Sequence, residues 1–385
     1  MFNFEFKNQT EILFGKGQVA KISSRIPKNA NVLFLYGGGS IKSNGVYDDV
    51  CKALEGFNVI EFSGVEPNPT YETLSKTFPL LKKHNIDFIL AVGGGSVIDG
   101  AKFIAASANF EGEPWDILEK GADFSNPLPI GAVLTLPATG SESNGNSVVT
   151  KKATQQKLPF GSPSVQPLFA VLDPVYTFSL PVKQISNGTV DAFVHVIEQY
   201  LTYPVNAPIQ DGFAETILKT LIQEGPKALA DPHDYDVRAN VMWAATMALN
   251  GLIGQGVPQD WATHMIGHEF TALYGLDHAQ TLAIVLPSLM AKQKQQKREK
   301  IIQLGKAVFN LSAISDDELI DATIDAVQAF FEQMQVKTRI SDYGLAKTSI
   351  DEVLNKLQEN ARLKLGEHQD ITLEVSKEIL EMAYE

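Results

Sequence analysis

The sequence predicts an α/β first half with a largely parallel sheet, over residues 1–180, followed by an all-α second half over residues 181–385. Three observations predict it. Short apolar runs alternate with amphipathic stretches through the first half. Two of those runs end in nearly the same glycine word, YGGGS at 36–40 and VGGGS at 92–96. Beyond residue 181 apolar residues recur at helical spacing, with few strand candidates.

Taken in order, MFNFEFKNQTEILFG alternates aromatic and polar residues and predicts a strand. It lacks a basic segment followed by a long apolar core, so it does not read as a signal peptide. Strands are predicted at VLFLY (32–36), NVIEFSG (58–64), FILAVGGG (88–95) and IGAVLTLPAT (130–139), each ended by glycine, proline or small polar residues. GVYDDVCKALEGF, YETLSKTFPLLKKH and VIDGAKFIAASANF between them have helical spacing. Such alternation implies βαβ units, whose ligands bind beyond the carboxyl ends of the strands. LFAVLDPVYTFSLP at 168–181 adds a strand and a proline-marked turn. In the second half GTVDAFVHVIEQYLT, QDGFAETILKTLIQEGPKAL, YDVRANVMWAATMALNGLIG and WATHMIGHEFTALYGL predict helices, and the basic run at 291–308 predicts a solvated helix face.

At 385 residues the chain can build two ordinary cores. A net charge of −13 argues against nucleic acid as a partner. Cys51 is the single cysteine, which excludes an internal disulfide and a cysteine-based metal site; it is expected as a buried helix residue in a reducing compartment. No apolar stretch is long enough to cross a bilayer, so the expected address is the cytoplasm, with no membrane partner.

The word GGGSVIDGAKFIAA runs straight into a helix, so the amides near Gly94, Gly95 and Ser96 and the helix N-terminus share one positive spot suited to a pyrophosphate. Asp99 falls in the first turn, as a dipole carboxylate or as a residue that orients a ligand. The usual G-x-G-x-x-G fingerprint is missing, and GGGS alone is a weak signal. TLPATGSESN gathers Thr135, Thr139, Ser141, Ser143 and Asn144 at the same sheet edge, either as a hydroxyl-capped loop or as ligand contacts. Lys157 follows at a distance that lets it fold back over that loop.

VDAFVH spaces Asp191 and His195 so that both project from one helix face, about 6 Å apart along the axis. HMIGH repeats the spacing with His264 and His268, and His278 follows a turn-like GLD. One carboxylate with two or three imidazoles from separate helices suits a divalent transition metal with an open position. Neither H-E-x-x-H nor H-x-x-E-H is present, since Gly267 precedes and Glu269 follows the second histidine of HMIGH.

Together EILFGKG, EPNP, GGGSVIDGAKFIA, TLPATGSESN, FAVLDP, NGTVDAFVHVIEQY and GLDHAQTLAIVLP resemble the iron-containing (group III) alcohol dehydrogenases, most closely the NADP-dependent butanol dehydrogenase and broad-range aldehyde reductase branch. The likeness runs from end to end. It implies a dehydroquinate synthase-like architecture: a dinucleotide-binding α/β domain at 1–180, a helical metal-binding domain at 181–385, and an active site in the cleft between them. It implies Asp191, His195, His264 and His278 as ligands to Fe²⁺ or Zn²⁺, with His268 beside the metal as a proton relay. It places Gly94, Gly95, Ser96, Asp99, Asn68, Thr135, Thr139, Asn144 and Lys157 along the cofactor. NAD-preferring relatives tend to carry an Asp after the first of these strands; here Gly38, Gly39 and Ser40 leave amides and a hydroxyl for a 2′-phosphate, which implies NADP(H).

The resulting expectation is reversible hydride transfer between NADP(H) and primary alcohols or aldehydes such as butanol and butanal, the metal polarising the carbonyl oxygen. The alternative is a metal- and nicotinamide-dependent lyase of the dehydroquinate synthase type, which generally binds metal with a Glu and two His. Relatives are often homodimers, and FNFEFK at 2–7 suits edge pairing between copies or an ordinary edge strand within one chain.

Overall fold

The computed structural model describes residues 1–312 and 315–385. The chain forms two compact units, one from Lys7–Leu180 with Pro232–Thr246, the other from Met1–Phe6, Pro181–Asp231 and Met247–Glu385.

The first unit is built on β1 (Glu11–Phe14), β2 (Asn31–Tyr36), β3 (Asn58–Phe62), β4 (Phe88–Gly94), β5 (Ile130–Leu136), the hairpin β6 (Asn146–Lys151) and β7 (Gln156–Gly161), and β8 (Phe169–Leu172). Six of these strands make one sheet in the order β1-β8-β5-β4-β2-β3, parallel throughout. Its helices are α1 (Val46–Ala53), α2 (Tyr71–Leu74), α3 (Phe78–Lys83), α4 (Gly95–Ser107) and α5 (Asp116–Glu119), joined by most of the later helix over Tyr235–Ala248. A parallel sheet needs cover on both faces. Leu33 and Leu35 of β2 accordingly face one core with Ile98 and Phe103, while Val32 and Phe34 face another with Val46 and Val50. Since β3 and β4 flank β2 on opposite sides, the winding reverses between β2 and β4, and ligands bind at such a switch point.

The second unit holds α6 (Val182–Tyr200), α7 (Pro208–Ala230), the end of α8 (Tyr235–Ala248), α9 (Ala262–Tyr274), α10 (His278–Lys292), α11 (Arg298–Ala307), α12 (Asp316–Gln333) and α13 (Ser349–Glu359). The short antiparallel pair β9 (Lys364–Leu365) and β10 (Ile371–Thr372) interrupts the helices before α14 (Leu373–Met382). Every residue of α6 from Ile185 to Tyr200 is buried. A helix enclosed on all sides carries its polar side chains into the interior, where each must find a partner or a ligand.

Three expectations are corrected. Residues 1–10 form no strand, and Phe2, Phe4 and Phe6 stand exposed; the alternation is strand-like, but no ladder partner lies beside it among the described residues. The basic run at 291–308 is not one solvated helix face: a turn divides α10 from α11, and Lys297 and Lys300 are buried in ion pairs. Cys51 sits on α1 half-buried, not buried.

Candidate functional site

In the helical unit, α6 brings Asp191 and His195, α9 brings His264, and α10 opens on His278. Local chemistry sets each start. α10 is capped by Asp277 in a reciprocal capping box with Gln280, and Asn187 of α6 donates to Asp277 Oδ2 at 2.9 Å, tying the two helices together beside His278. α9 begins where Asp260 Oδ1 accepts the Ala262 N–H at 2.8 Å. Trp261, just before it, is held at φ 64°, a left-handed backbone that is unfavourable for so bulky a residue.

One ligand atom from each of Asp191, His195, His264 and His278 lies within 4.8 Å of the others. His278 Nε2 is 3.6 Å and His195 Nδ1 is 3.8 Å from Asp191 Oδ1. Tetrahedral metal bonds of about 2.1 Å imply ligand separations of roughly 3.4 Å, so a small closure suffices. His195 Nδ1 is buried without a hydrogen-bond partner among the described residues. Burial pushes the His195 imidazole down to about 4, with Asp191 opposing, which leaves the neutral ring that binds metal. The donor set therefore fits one divalent transition ion. His268 is buried beside this group, its ring 5.4 Å from that of His278 and 6.3 Å from that of His264.

Glu198 completes the surroundings. Its Oε1 accepts the His264 backbone N–H at 2.9 Å and meets His264 Nδ1 at 2.9 Å, which turns Nε2 toward the ligand group. Burial and neighbouring Asp260 push the Glu198 carboxyl well above the usual range, opposed by the His264 N–H and Lys297. The Trp261 ring lies edge-on to His264 at 5.1 Å. Glu198, Asp260, Lys297 and Trp261 were not singled out in the sequence as candidates. Glu198 alone had a local signal, one helical turn beyond His195 on the same face.

In the sheet unit, Gly38 and Ser40 are exposed after β2, and Gly39 takes φ 99° at the start of a short three-ten turn. The second glycine word ends β4 and opens α4. A Cβ at Gly95 would lie 2.3 Å from Thr139 Oγ1 and one at Gly94 would lie 3.0 Å from Leu136 Cβ, so both glycines allow the β5 loop to close over them. Ser96 Oγ accepts the Asn68 N–H at 3.3 Å, and Asn68, at φ 54°, accepts Lys157 Nζ on Oδ1 at 3.0 Å. Lys157 is buried on β7, a strand that the sequence reading left unassigned. Thr135 is buried near the end of β5.

Beneath the loop lies a buried network. Lys102 of α4 donates to Ser141 Oγ at 2.7 Å, Asn144 Oδ1 at 3.1 Å and Asn146 O at 2.6 Å. Ser141 donates onward to Asp99 Oδ1 at 2.6 Å, and Asp99 Oδ2 accepts the Val148 N–H at 3.0 Å. Asp99 and Asn144 thus hold the loop in place. Burial drives the Lys102 ammonium down to about 8, countered by Asp99 and Glu142, and drives the Asp99 carboxyl up.

Residues 9–174 match the family model for iron-containing alcohol dehydrogenase, and residues 185–384 match the C-terminal model of the Fe-containing alcohol dehydrogenase family. The chain is 58% identical to the NADPH-dependent aldehyde reductase YqhD of Escherichia coli, covering 100% of both chains, and 41% identical to the probable NADH-dependent butanol dehydrogenase 1 of Bacillus subtilis, covering 94% of each. Among solved structures it superposes on E. coli YqhD with TM-score 0.98, covering 99% of each chain, and on the NADH-dependent butanol dehydrogenase A of Thermotoga maritima with TM-score 0.95 at 36% identity, covering 100% of this chain and 99% of that one. With both halves matched and the four-residue ligand group assembled from three helices, the chain belongs to the iron-containing alcohol dehydrogenase family.

Proposed function

We propose that this chain is a metal-dependent, NADP(H)-linked alcohol dehydrogenase that interconverts primary alcohols and aldehydes such as butanol and butanal, acting chiefly as an aldehyde reductase. The single observation that carries the reading is the Asp191, His195, His264 and His278 group in a chain 58% identical to an NADPH-dependent aldehyde reductase. A divalent metal, Fe²⁺ or Zn²⁺, held by those four residues supplies Lewis-acid polarisation of the carbonyl oxygen, and the nicotinamide supplies the hydride.

The chain's own residues do the rest. Glu198 fixes the His264 ring, and burial keeps His195 neutral and ready to ligate. His268 is the titratable group beside the ligands that passes a proton to the substrate oxygen. Gly94, Gly95 and Ser96 at the start of α4 take the pyrophosphate, with Asn68, Asp99, Thr135, Thr139, Asn144 and Lys157 along the cofactor. Relatives named for NADH and for NADPH both occur, so the choice rests on this chain's loop. Gly38, Gly39 and Ser40 carry no acid to repel a 2′-phosphate, which favours NADP(H).

The same reading assigns cofactor binding to residues 1–180 and metal binding to 181–385. It makes the protein a cytoplasmic homodimer, a state supported by exposed Phe2, Phe4 and Phe6. No helix among the described residues is long and apolar enough to cross a membrane. Metal analysis of protein purified without added metal, paired with NADPH and NADH oxidation on an aldehyde series, tests the proposal. One metal per chain with butanal-dependent NADPH oxidation is expected; inertness toward aldehydes despite bound metal would favour the lyase class.

A further inference from the structure

Two helices carry three of the four candidate ligands, Asp191 and His195 on α6 and His264 on α9. The spacing of those ligands depends on how the end of α6 meets the start of α9. Lys297 stands at that junction, reaching in from the turn between α10 and α11, with only 3% of its side chain exposed. Its ammonium donates to Leu201 O at 2.7 Å, the carbonyl at the C-cap of α6. It also reaches Asp260 Oδ2 at 2.6 Å and both carboxylate oxygens of Glu367 at 2.8 Å.

Asp260 carries the contact onward in two directions. Its Oδ1 accepts the N–H of Ala262, the first residue of α9, and its own N–H donates to Glu198 O at 2.9 Å. Glu198 in turn holds His264 by the backbone and by the ring. A cavity of about 10 Å³, too small for more than a single water, lies between Glu198, Asp260 and Lys297. A buried ion cluster is a weak source of stability, because desolvation offsets the attraction; its better-attested use is to fix one arrangement. An ammonium suits that use, since its three donors can be shared among three separate segments.

We propose that Lys297 is a positioning residue of the metal centre, clamping the C-terminal end of α6 to the N-terminal end of α9 so that Asp191, His195 and His264 stand at ligating distance. The proposal rests on the reading of those residues as metal ligands. It makes Lys297 matter to metal affinity although it touches no ligand. Glu367 is the built-in comparison, since it pairs with the ammonium from the β9–β10 loop while the bonds to Leu201 and Asp260 do not depend on it.

Co²⁺ serves as the probe, with affinity read by chelator competition and ligand geometry by its visible absorption. Wild type is expected to bind one Co²⁺ per chain. Lys297→Met is expected to bind it at least about tenfold more weakly with a changed spectrum, the range seen when outer-shell partners of metal ligands are removed. Glu367→Gln should melt earlier yet keep wild-type affinity and spectrum. If Lys297→Met does not fold, Asp260→Asn, which keeps the side-chain shape, is expected to weaken Co²⁺ binding in its place. Wild-type affinity and spectrum in whichever of these two variants is read would overturn the proposal, leaving a purely structural ion pair. Failure of the wild type to bind Co²⁺ would instead sink the metal reading on which the proposal rests.

Discussion

Tyr36 lies opposite Val92 in the parallel register of β2 and β4. The two glycine words that follow these residues therefore leave neighbouring strands at one edge of the sheet, where its winding reverses. Their likeness in sequence is matched by adjacency in space, while their local roles differ. The later word opens the thirteen-residue helix α4, whereas the earlier one opens only a short three-ten turn.

On the proposed reading, that difference leaves the choice of cofactor to Gly38 and its neighbours. A Cβ at Gly38 meets nothing within 4 Å, so Gly38→Asp adds a charge without disturbing the loop. The expected outcome is a KM for NADPH raised by about tenfold or more, the factor that about 1.4 kcal/mol of lost binding produces, with NADH little changed. Steady-state kinetics with both cofactors check it, and equal effects would reduce the first word to a strand-ending turn.

His268 offers a separation of turnover from metal content. His268→Ala should lower kcat by about a hundredfold or more, the usual scale of general acid catalysis, while the bound metal stays near one per chain. Elemental analysis beside kinetics distinguishes the cases. Metal lost together with activity would make His268 a ligand.

Glu198→Gln removes the carboxylate that meets His264 Nδ1 and leaves a side chain of similar shape. Metal affinity should fall by about ten- to a hundredfold with the fold retained. Chelator competition on the purified variant measures this directly; unchanged affinity would mean that the packing around the ring orients His264 unaided.

Lys102 predicts an unusual pH dependence in the sheet unit. Its ammonium titrates near 8 when folded against an ordinary 10.5. Below pH 8 the residue is charged in both states, and the folded protein bears the full cost of burying that charge. Between pH 8 and 10.5 the unfolded chain holds more protons, so this residue's contribution makes stability rise with pH. The stability of wild type relative to Lys102→Met should therefore increase by about 3 kcal/mol across that window. Urea melts of both proteins at several pH values test the sign, and a flat or falling difference refutes it.

Much of this was legible in the chain. VLFLY and FILAVGGG are uninterrupted apolar runs because β2 and β4 are buried on both faces, as strands of a covered parallel sheet are. The i, i+4 pair Asp191 and His195 and the pair His264 and His268 were visible because helical spacing is local. What escaped was set at long range. Lys297 meets Glu367 across seventy positions, and Glu198 meets His264 across sixty-six, so no window of sequence holds either pair. A lysine in a run of basic residues looks solvated until its carboxylates are in view. FNFEFK forms no strand within the chain, since strand-like alternation supplies side chains for a face but not the partner backbone that makes a strand.

The path of the chain through the two units bears on where the gene can be cut. A fragment ending at Leu180 would lack Arg238, whose guanidinium bonds both the hydroxyl and the carbonyl of Thr177, and Thr246, whose hydroxyl donates to the interior carboxyl of Glu142. It would also keep Phe14 without the indole of Trp243 that packs edge-on against it at 5.9 Å. A truncation that looks natural in the primary structure would thus strip the sheet unit of an internal splint. Recombination that swaps this half between relatives would have to carry residues 232–246 along with it, as a second, separate insert.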